Sequence, residues 1–125
     1  MDINKKRIAI IGLGYVGLPL AVEFGKSRPT LGFDINKSRI GELILGLDST
    51  REVSETGMKS AVHLKFTSDS KVLDACSVFV ITVPTPIDDV NRPNLIPIIS
   101  ASETVGRSLK VGDIVIYEST VFPGC

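Results

Sequence analysis

The chain is 125 residues long and 43% hydrophobic, with 14 basic side chains against 14 acidic ones; this is the make-up of one globular domain, able to bury a core but short for a complete two-substrate enzyme. The charge balance excludes the electrostatic footprint that nucleic acid or an anionic membrane requires, so any bound anion must be held locally, by shape and backbone N–H groups. No stretch approaches a membrane span, no secretory signal precedes the fold, and Cys76 and Cys125 show neither metal-ligand spacing nor the numbers of a disulfide framework, so no metal is expected and a reducing, cytoplasmic setting is.

Ile8 to Ile11 is a short unbroken apolar run, as suits a strand buried on both faces. It ends in Gly12, Gly14 and Gly17, spaced G-x-G-x-x-G, the fingerprint of a dinucleotide-binding turn when a strand precedes it and a helix follows. Gly12 permits the tight turn, Gly14 lets a diphosphate approach bare backbone, and Gly17 lets the following helix pack closely on the sheet. The start of that helix offers unpaired N–H groups and a partial positive charge to the phosphates. Tyr15 and Val16 contribute backbone N–H groups there, while their side chains pack. Val16, Leu20 and Phe24 recur at helical spacing with Ala21 beside them, giving a helix from Tyr15 to about Lys26 with Pro19 near its first turn.

Thr30 to Phe33, entered from Pro29, is the second strand, and Asp34 lies at its carboxyl end. An acidic residue about twenty positions beyond the turn accepts hydrogen bonds from the adenosine ribose and selects the cofactor without a 2′-phosphate. Arg39 stands nearby, where it can take a 2′-phosphate or lie over the adenine; NAD is favoured over NADP. Asn36 caps a second helix whose buried stripe is Ile40, Leu43, Ile44 and Leu47, slightly weakened by Gly41 and Gly46.

The polar stretch Asp48 to His63 reads as a loop with a short helix around Ser54 to Ala61. His63, the only histidine, falls in it and is given no catalytic role. Leu64 and Phe66 alternate with polar neighbours in a third, edge-like strand. Val72, Leu73 and Cys76 then mark a short helix behind a Thr-Ser-Asp cap, with Cys76 in the core. Val78 to Val83 is a central fourth strand, stopped by Pro84-Thr85-Pro86 and followed by a polar loop, Asp88 to Asn94. Asn94 caps a helix with an inner face of Leu95, Ile98, Ile99, Ser102, Val105 and Leu109. Lys110 to Asp113 is a turn, and Ile114 to Tyr117 a fifth strand.

Strands alternating with helices predict an α/β fold, a doubly wound parallel sheet of Rossmann type in three layers, with strand order 3-2-1-4-5 and right-handed crossovers. Its ligand crevice is expected at the carboxyl ends of strands one and four. Thr85 and Thr120 lie just beyond the carboxyl ends of strands, on that rim, and are candidate ligand contacts. Glu118 to Cys125, a turn sequence following the last strand, reads as the point where a longer protein is cut. Cys125 lacks a visible base partner and is assigned no role as a nucleophile. Two other classes share these features: a non-catalytic NAD- or NADH-sensing module, and an S-adenosylmethionine methyltransferase.

Four strings, I-G-L-G-Y-V-G-L-P-L-A, G-F-D-I-N, V-P-T-P-I-D and Y-E-S-T-V-F-P-G-C, resemble in order and spacing the amino-terminal domain of the nucleotide-sugar 6-dehydrogenases, the UDP-glucose and GDP-mannose dehydrogenases and their relatives. The likeness runs over essentially the whole chain. It is strongest to the bacterial UDP-N-acetylglucosamine 6-dehydrogenases of surface-polysaccharide synthesis, the Vi-antigen type among them. The resemblance implies a parent that oxidises the sugar C6 alcohol to a carboxylate in two successive NAD-dependent steps, through a thiohemiacetal on a catalytic cysteine. It assigns Gly12 to Gly17 to the pyrophosphate, with Val16 touching the cofactor, and Asp34 and Arg39 to the adenosine end. It places Thr85 against the cofactor, and Thr120 near the nicotinamide and the reactive water in a supporting catalytic role. In that family the catalytic cysteine, its lysine and asparagine partners, most sugar contacts and the dimer-forming helix lie downstream. Residues 1–125 are therefore expected to be the NAD-binding domain of a homodimeric parent, inactive alone. The sugar stays open: UDP-N-acetylglucosamine or UDP-N-acetylgalactosamine, with UDP-glucose or GDP-mannose as alternatives.

Overall fold

In the computed structural model, which describes residues 7–84, 90, 92 and 94–118, β1 (Ile8–Ile11) lies at the centre of an all-parallel sheet ordered β3-β2-β1-β4-β5. Here β2 is Thr30–Phe33, β3 Leu64–Thr67, β4 Val78–Ile81 and β5 Ile114–Tyr117. This is the order expected from the alternation of strands and helices. Successive strand residues face opposite sides, so β1 feeds two cores. Ile8 and Ile10 enter one, with Leu18, Ala21 and Val22 of α1 (Gly17–Gly25), Ile40 and Leu43 of α2 (Lys37–Ile44), and Ala61 just after α3 (Glu55–Ser60). Ala9 and Ile11 enter the other, with Leu73, Cys76, Phe79 and Ile81, and with Ala101 and Val105 of α4 (Ile96–Gly106). Helices on both faces of one sheet make the three layers.

Local chemistry sets the helix ends. The Asn36 side chain accepts hydrogen bonds from the N–H groups of Ser38 and Arg39 at 3.0 and 3.2 Å, capping α2 as expected. At the other end Gly46 takes φ +81°, with Gly46 N–H bonded to the Leu43 carbonyl and Leu47 N–H to that of Glu42. Gly46 therefore terminates the helix and does not weaken it, because only a residue without a Cβ enters that left-handed conformation freely. Ser54 caps α3 through Gly57 N–H. Asp69 caps a 3-10 turn, Ser70–Ala75, where the Thr-Ser-Asp signal lies.

Three buried stripes differ from the expected ones. In α1 the inner face is Gly17, Leu18, Ala21, Val22 and Gly25, while Leu20 and Phe24 pack only at its margin and Val16 precedes the helix. In α2 only Ile40 and Leu43 are buried, and Ile44 and Leu47 are exposed. In α4 the buried positions are Ala101 and Val105, continued by Ser108, whereas Leu95, Ile99 and Leu109 are exposed. The reason is common to α1 and α4: small residues let the helix backbone close onto the sheet, and large side chains are displaced to the flanks. Strand β5 forms one edge, with Ile114, Ile116 and Tyr117 exposed.

Candidate functional site

Strand register places the site. Ile11 pairs with Phe33 on one side and with Ile81 on the other, so the next residue of each strand, Gly12, Asp34 and Thr82, stands in one row along the carboxyl rim. A crevice of about 380 Å³ opens above this row. Its floor is Ile11 and Phe33, one side carries Gly12, Leu13, Gly14, Asp34 and Arg39, and the far wall is Pro97, Ser100, Ala101 and Thr104 of α4.

The glycine turn is fixed by its neighbours. Gly12 adopts φ +99°, closed to most side chains, and its N–H donates to the Phe33 carbonyl at 2.8 Å. A Cβ at Gly17 would run into the Gly12 carbonyl oxygen and Thr82 Oγ1, so the first turn of α1 approaches as closely as it does only because Gly17 is bare. At Gly14 a Cβ would meet nothing within 4 Å. Packing therefore does not require a glycine at 14, and its uncovered backbone faces the crevice it lines. Helix α1 has no side-chain cap and no acidic residue in its first turn; Leu18 N–H is taken by the Gly14 carbonyl and Pro19 has none, so what the turn offers an anion is the partial positive charge of the helix start and the N–H groups that precede Leu18.

The adenosine-side groups are tied to the same turn. Asp34 Oδ2 accepts from Leu13 N–H and Oδ1 from Asn36 N–H, both at 2.9 Å. A carboxylate offers about four lone-pair sites, so about two remain, enough for the two hydroxyls of a ribose. Arg39 Nε donates to the Leu13 carbonyl at 2.7 Å, and Nη1 donates to Glu42 and to Asp48 Oδ1. The two peptides flanking Leu13 are thus held from one side by a carboxylate and from the other by a guanidinium. Burial alone would lower the Arg39 pKa, but the bonds to Glu42 and Asp48 outweigh it and hold the guanidinium above its ordinary value. Burial would likewise raise the Asp48 carboxyl. Donors from Thr50, Arg39 and Val53 reverse that and bring it to about 2.

The crevice unites Gly12, Gly14, Asp34 and Arg39 of the expected site. Gly17 lies behind them as a packing residue. Tyr15 and Val16 stand just before α1 and are 69% and 44% exposed, so their expected packing is not found; Leu13 and Leu18 fill the core beneath. Thr85, Thr120 and Cys125 lie outside the described residues. Two features escaped the sequence. Thr82, buried, donates its hydroxyl to the Gly12 carbonyl at 2.6 Å, with the Ile11 carbonyl as second acceptor at 3.1 Å. Its signal was a lone hydroxyl inside V-F-V-I-T-V. The α4 wall recurs at 97, 100, 101 and 104, a helical face written in small residues where large apolar ones were sought.

NAD fits these residues. The cradle has an open Gly14 that any Cβ would begin to fill, an uncapped helix start, a half-satisfied carboxylate one strand over, and a buried Arg39 Nη2 with no acceptor. Among the described residues no group of His, Cys, Asp or Glu could hold a metal ion, and no helix is long and apolar enough to cross a membrane.

Comparison with known proteins gives a concordant result. The profile of the UDP-glucose/GDP-mannose dehydrogenase family, NAD binding domain, matches residues 6–125. The chain is 58% identical over 118 residues to a UDP-N-acetyl-D-glucosamine 6-dehydrogenase of Pseudomonas aeruginosa, covering 94% of this chain and 28% of that protein. It is 58% identical over 123 residues to the enzyme of the same name from Salmonella typhi, covering 98% and 29%. Among solved structures, a UDP-N-acetyl-mannosamine dehydrogenase from S. aureus superposes with a TM-score of 0.83 at 31% identity, covering 94% of this chain and 29% of that one. The chain thus spans less than a third of the length of these relatives.

Proposed function

The chain belongs to the UDP-glucose/GDP-mannose dehydrogenase family as its NAD binding domain, and from that premise we propose that it is the cofactor-holding part of an NAD-dependent UDP-sugar 6-dehydrogenase. The substrate we assign is a UDP-N-acetylhexosamine, on the strength of 58% identity to two UDP-N-acetyl-D-glucosamine 6-dehydrogenases. The reaction supplies a uronic acid for surface polysaccharide in the cytoplasm of a bacterium, and the parent works as a homodimer. Residues 1–125 constitute one domain, and the sugar-oxidising groups belong to the length of the relatives that this chain does not span.

Bound NAD would supply the hydride acceptor for oxidation of the sugar carbon. The chain's own residues hold it. Gly12, Gly14 and Gly17 shape the diphosphate cradle, and Tyr15 and Val16 add backbone N–H groups. Asp34 takes the ribose diol, Arg39 lies at the adenosine end, Thr85 serves against the cofactor, and Thr120 serves near the nicotinamide in a supporting catalytic role. The observation that carries this reading is the shared crevice of Gly14, whose backbone is open, and Asp34, whose carboxylate has unused acceptor sites. A methyltransferase reading has no support from the family match.

Calorimetric titration of the chain with NAD, with S-adenosylmethionine as competitor, tests the binding. NAD saturates the chain in the micromolar to millimolar range and S-adenosylmethionine does not displace it. No heat with about 1 mM NAD rejects the reading. For the parent, NADH formation is compared among UDP-N-acetylglucosamine, UDP-N-acetylgalactosamine, UDP-glucose and GDP-mannose.

A further inference from the structure

Arg39 lies beside the carboxylate that reads the ribose, yet its guanidinium is already committed. A guanidinium grips a phosphate in bidentate fashion along one of its two flat edges, Nε with one Nη, or the two Nη together. Here Nε donates to the Leu13 carbonyl, and Nη1 donates to both Glu42 and Asp48. Only Nη2 has no acceptor, so neither edge is whole. The two acids stand behind Arg39: it lines the crevice and they do not. Asp48 is a fixed post, its side chain fully buried. Besides Arg39 it accepts from Thr50 N–H and Oγ1 on Oδ1, and from Glu52 and Val53 N–H on Oδ2.

Charge acts in the same direction. Arg39 is ion-paired with two carboxylates, Glu42 and Asp48, and a third, Asp34, lines the same crevice. A 2′-phosphate, carrying roughly −1.5 to −2 at neutral pH, would be repelled where a neutral ribose diol is not. Taking NAD binding at Asp34 and Arg39 as the proposed function has it, we infer that Glu42 and Asp48 are positioning residues that withhold Arg39 from a 2′-phosphate and so set the preference for NAD over NADP. Asp34 alone is then an incomplete account of cofactor choice, and an acidic pair with no place in the crevice carries part of it.

The test titrates this chain separately with NAD and NADP by calorimetry, as wild type, Glu42→Ala, Asp48→Asn, Arg39→Ala and the double variant Arg39→Ala/Glu42→Ala. Glu42→Ala keeps a good helix former in α2. It raises the NADP:NAD affinity ratio by at least about threefold, and Asp48→Asn raises it by about tenfold. In the Arg39→Ala background the gain from Glu42→Ala disappears, which separates release of this arginine from a general change in net charge. A ratio that Glu42→Ala leaves in place, or a gain that survives without Arg39, overturns the inference even if Asp48→Asn fails to fold. A wild-type chain that binds neither nucleotide overturns the NAD reading itself, and this inference with it.

Discussion

Asp34 reaches back from the end of β2 to accept the Leu13 N–H at 2.9 Å, joining the residue expected to read the ribose to the turn expected to hold the phosphates. Asp34→Ala removes both functions at once. The substitution is expected to weaken NAD binding by at least about tenfold, and to lower stability by about 1 kcal/mol through the unsatisfied Leu13 donor. Calorimetry and urea denaturation measure the two effects; unaltered NAD affinity in a folded Asp34→Ala chain contradicts the assignment.

The glycines of the turn should respond in opposite ways. Gly14 has open space where a Cβ would go, so Gly14→Ala leaves thermal stability within about 2 °C or slightly raised, while NAD affinity falls by about tenfold or more. A Cβ at Gly17 would overlap the Gly12 carbonyl oxygen and Thr82 Oγ1, so Gly17→Ala destabilises the fold by about 3 kcal/mol or more, at the upper end of what overpacked cores show. If both variants lost stability alike, the division of labour within the motif would be wrong.

Asp48 makes a pH-dependent contribution. Its carboxyl titrates at about 2 in the folded chain and near ~3.9 when unfolded. Its ionised form therefore stabilises the fold fully above the unfolded value, and that stabilisation is lost as pH falls from ~4 through about 2, amounting to roughly 2 kcal/mol. Asp48→Asn is expected to be less stable than wild type at pH 7 by about this amount, the gap narrowing as pH falls through about 4 toward about 2. Urea midpoints at pH 7, 5, 4 and 3 decide the matter, and a gap constant with pH argues against it.

Cys76 is fully buried, and burial pushes its thiol up to about 11. The reactive thiolate is therefore scarce at pH 8. In a Cys125→Ser background, a disulfide exchange reagent is expected to label Cys76 at least ~100-fold more slowly than a free cysteine, and at the ordinary rate in urea. Prompt labelling of the native chain would place Cys76 outside the core.

The sheet order, the glycine turn and Asp34 were legible because each is written in local chemistry: an apolar run, a backbone that must be bare, a carboxylate at a fixed offset. The faces of α1 and α4 were misread for a physical reason. Periodicity weights large apolar residues, whereas Gly17, Ala21 and Gly25 in α1, and Ala101 in α4, bring the helices close and leave Ile99 and Leu109 outside. Thr82 was hidden among strand residues because its value depends on pairing with β1, 71 positions earlier. The hold on Arg39 was equally hidden. Nothing in the sequence near Asp48 says that its side chain turns inward, away from water, to meet an arginine on the preceding helix.

The paired anchorage of Leu13, amide to Asp34 and carbonyl to Arg39, has a thermodynamic consequence. A loop already locked in one shape gives up little freedom when a guest arrives, so association should show a small entropic loss for its contact area. Because a single residue carries both anchors, the nucleoside end and the diphosphate end are presented in a fixed relation, and the halves of the dinucleotide should bind more tightly joined than their separate affinities would suggest.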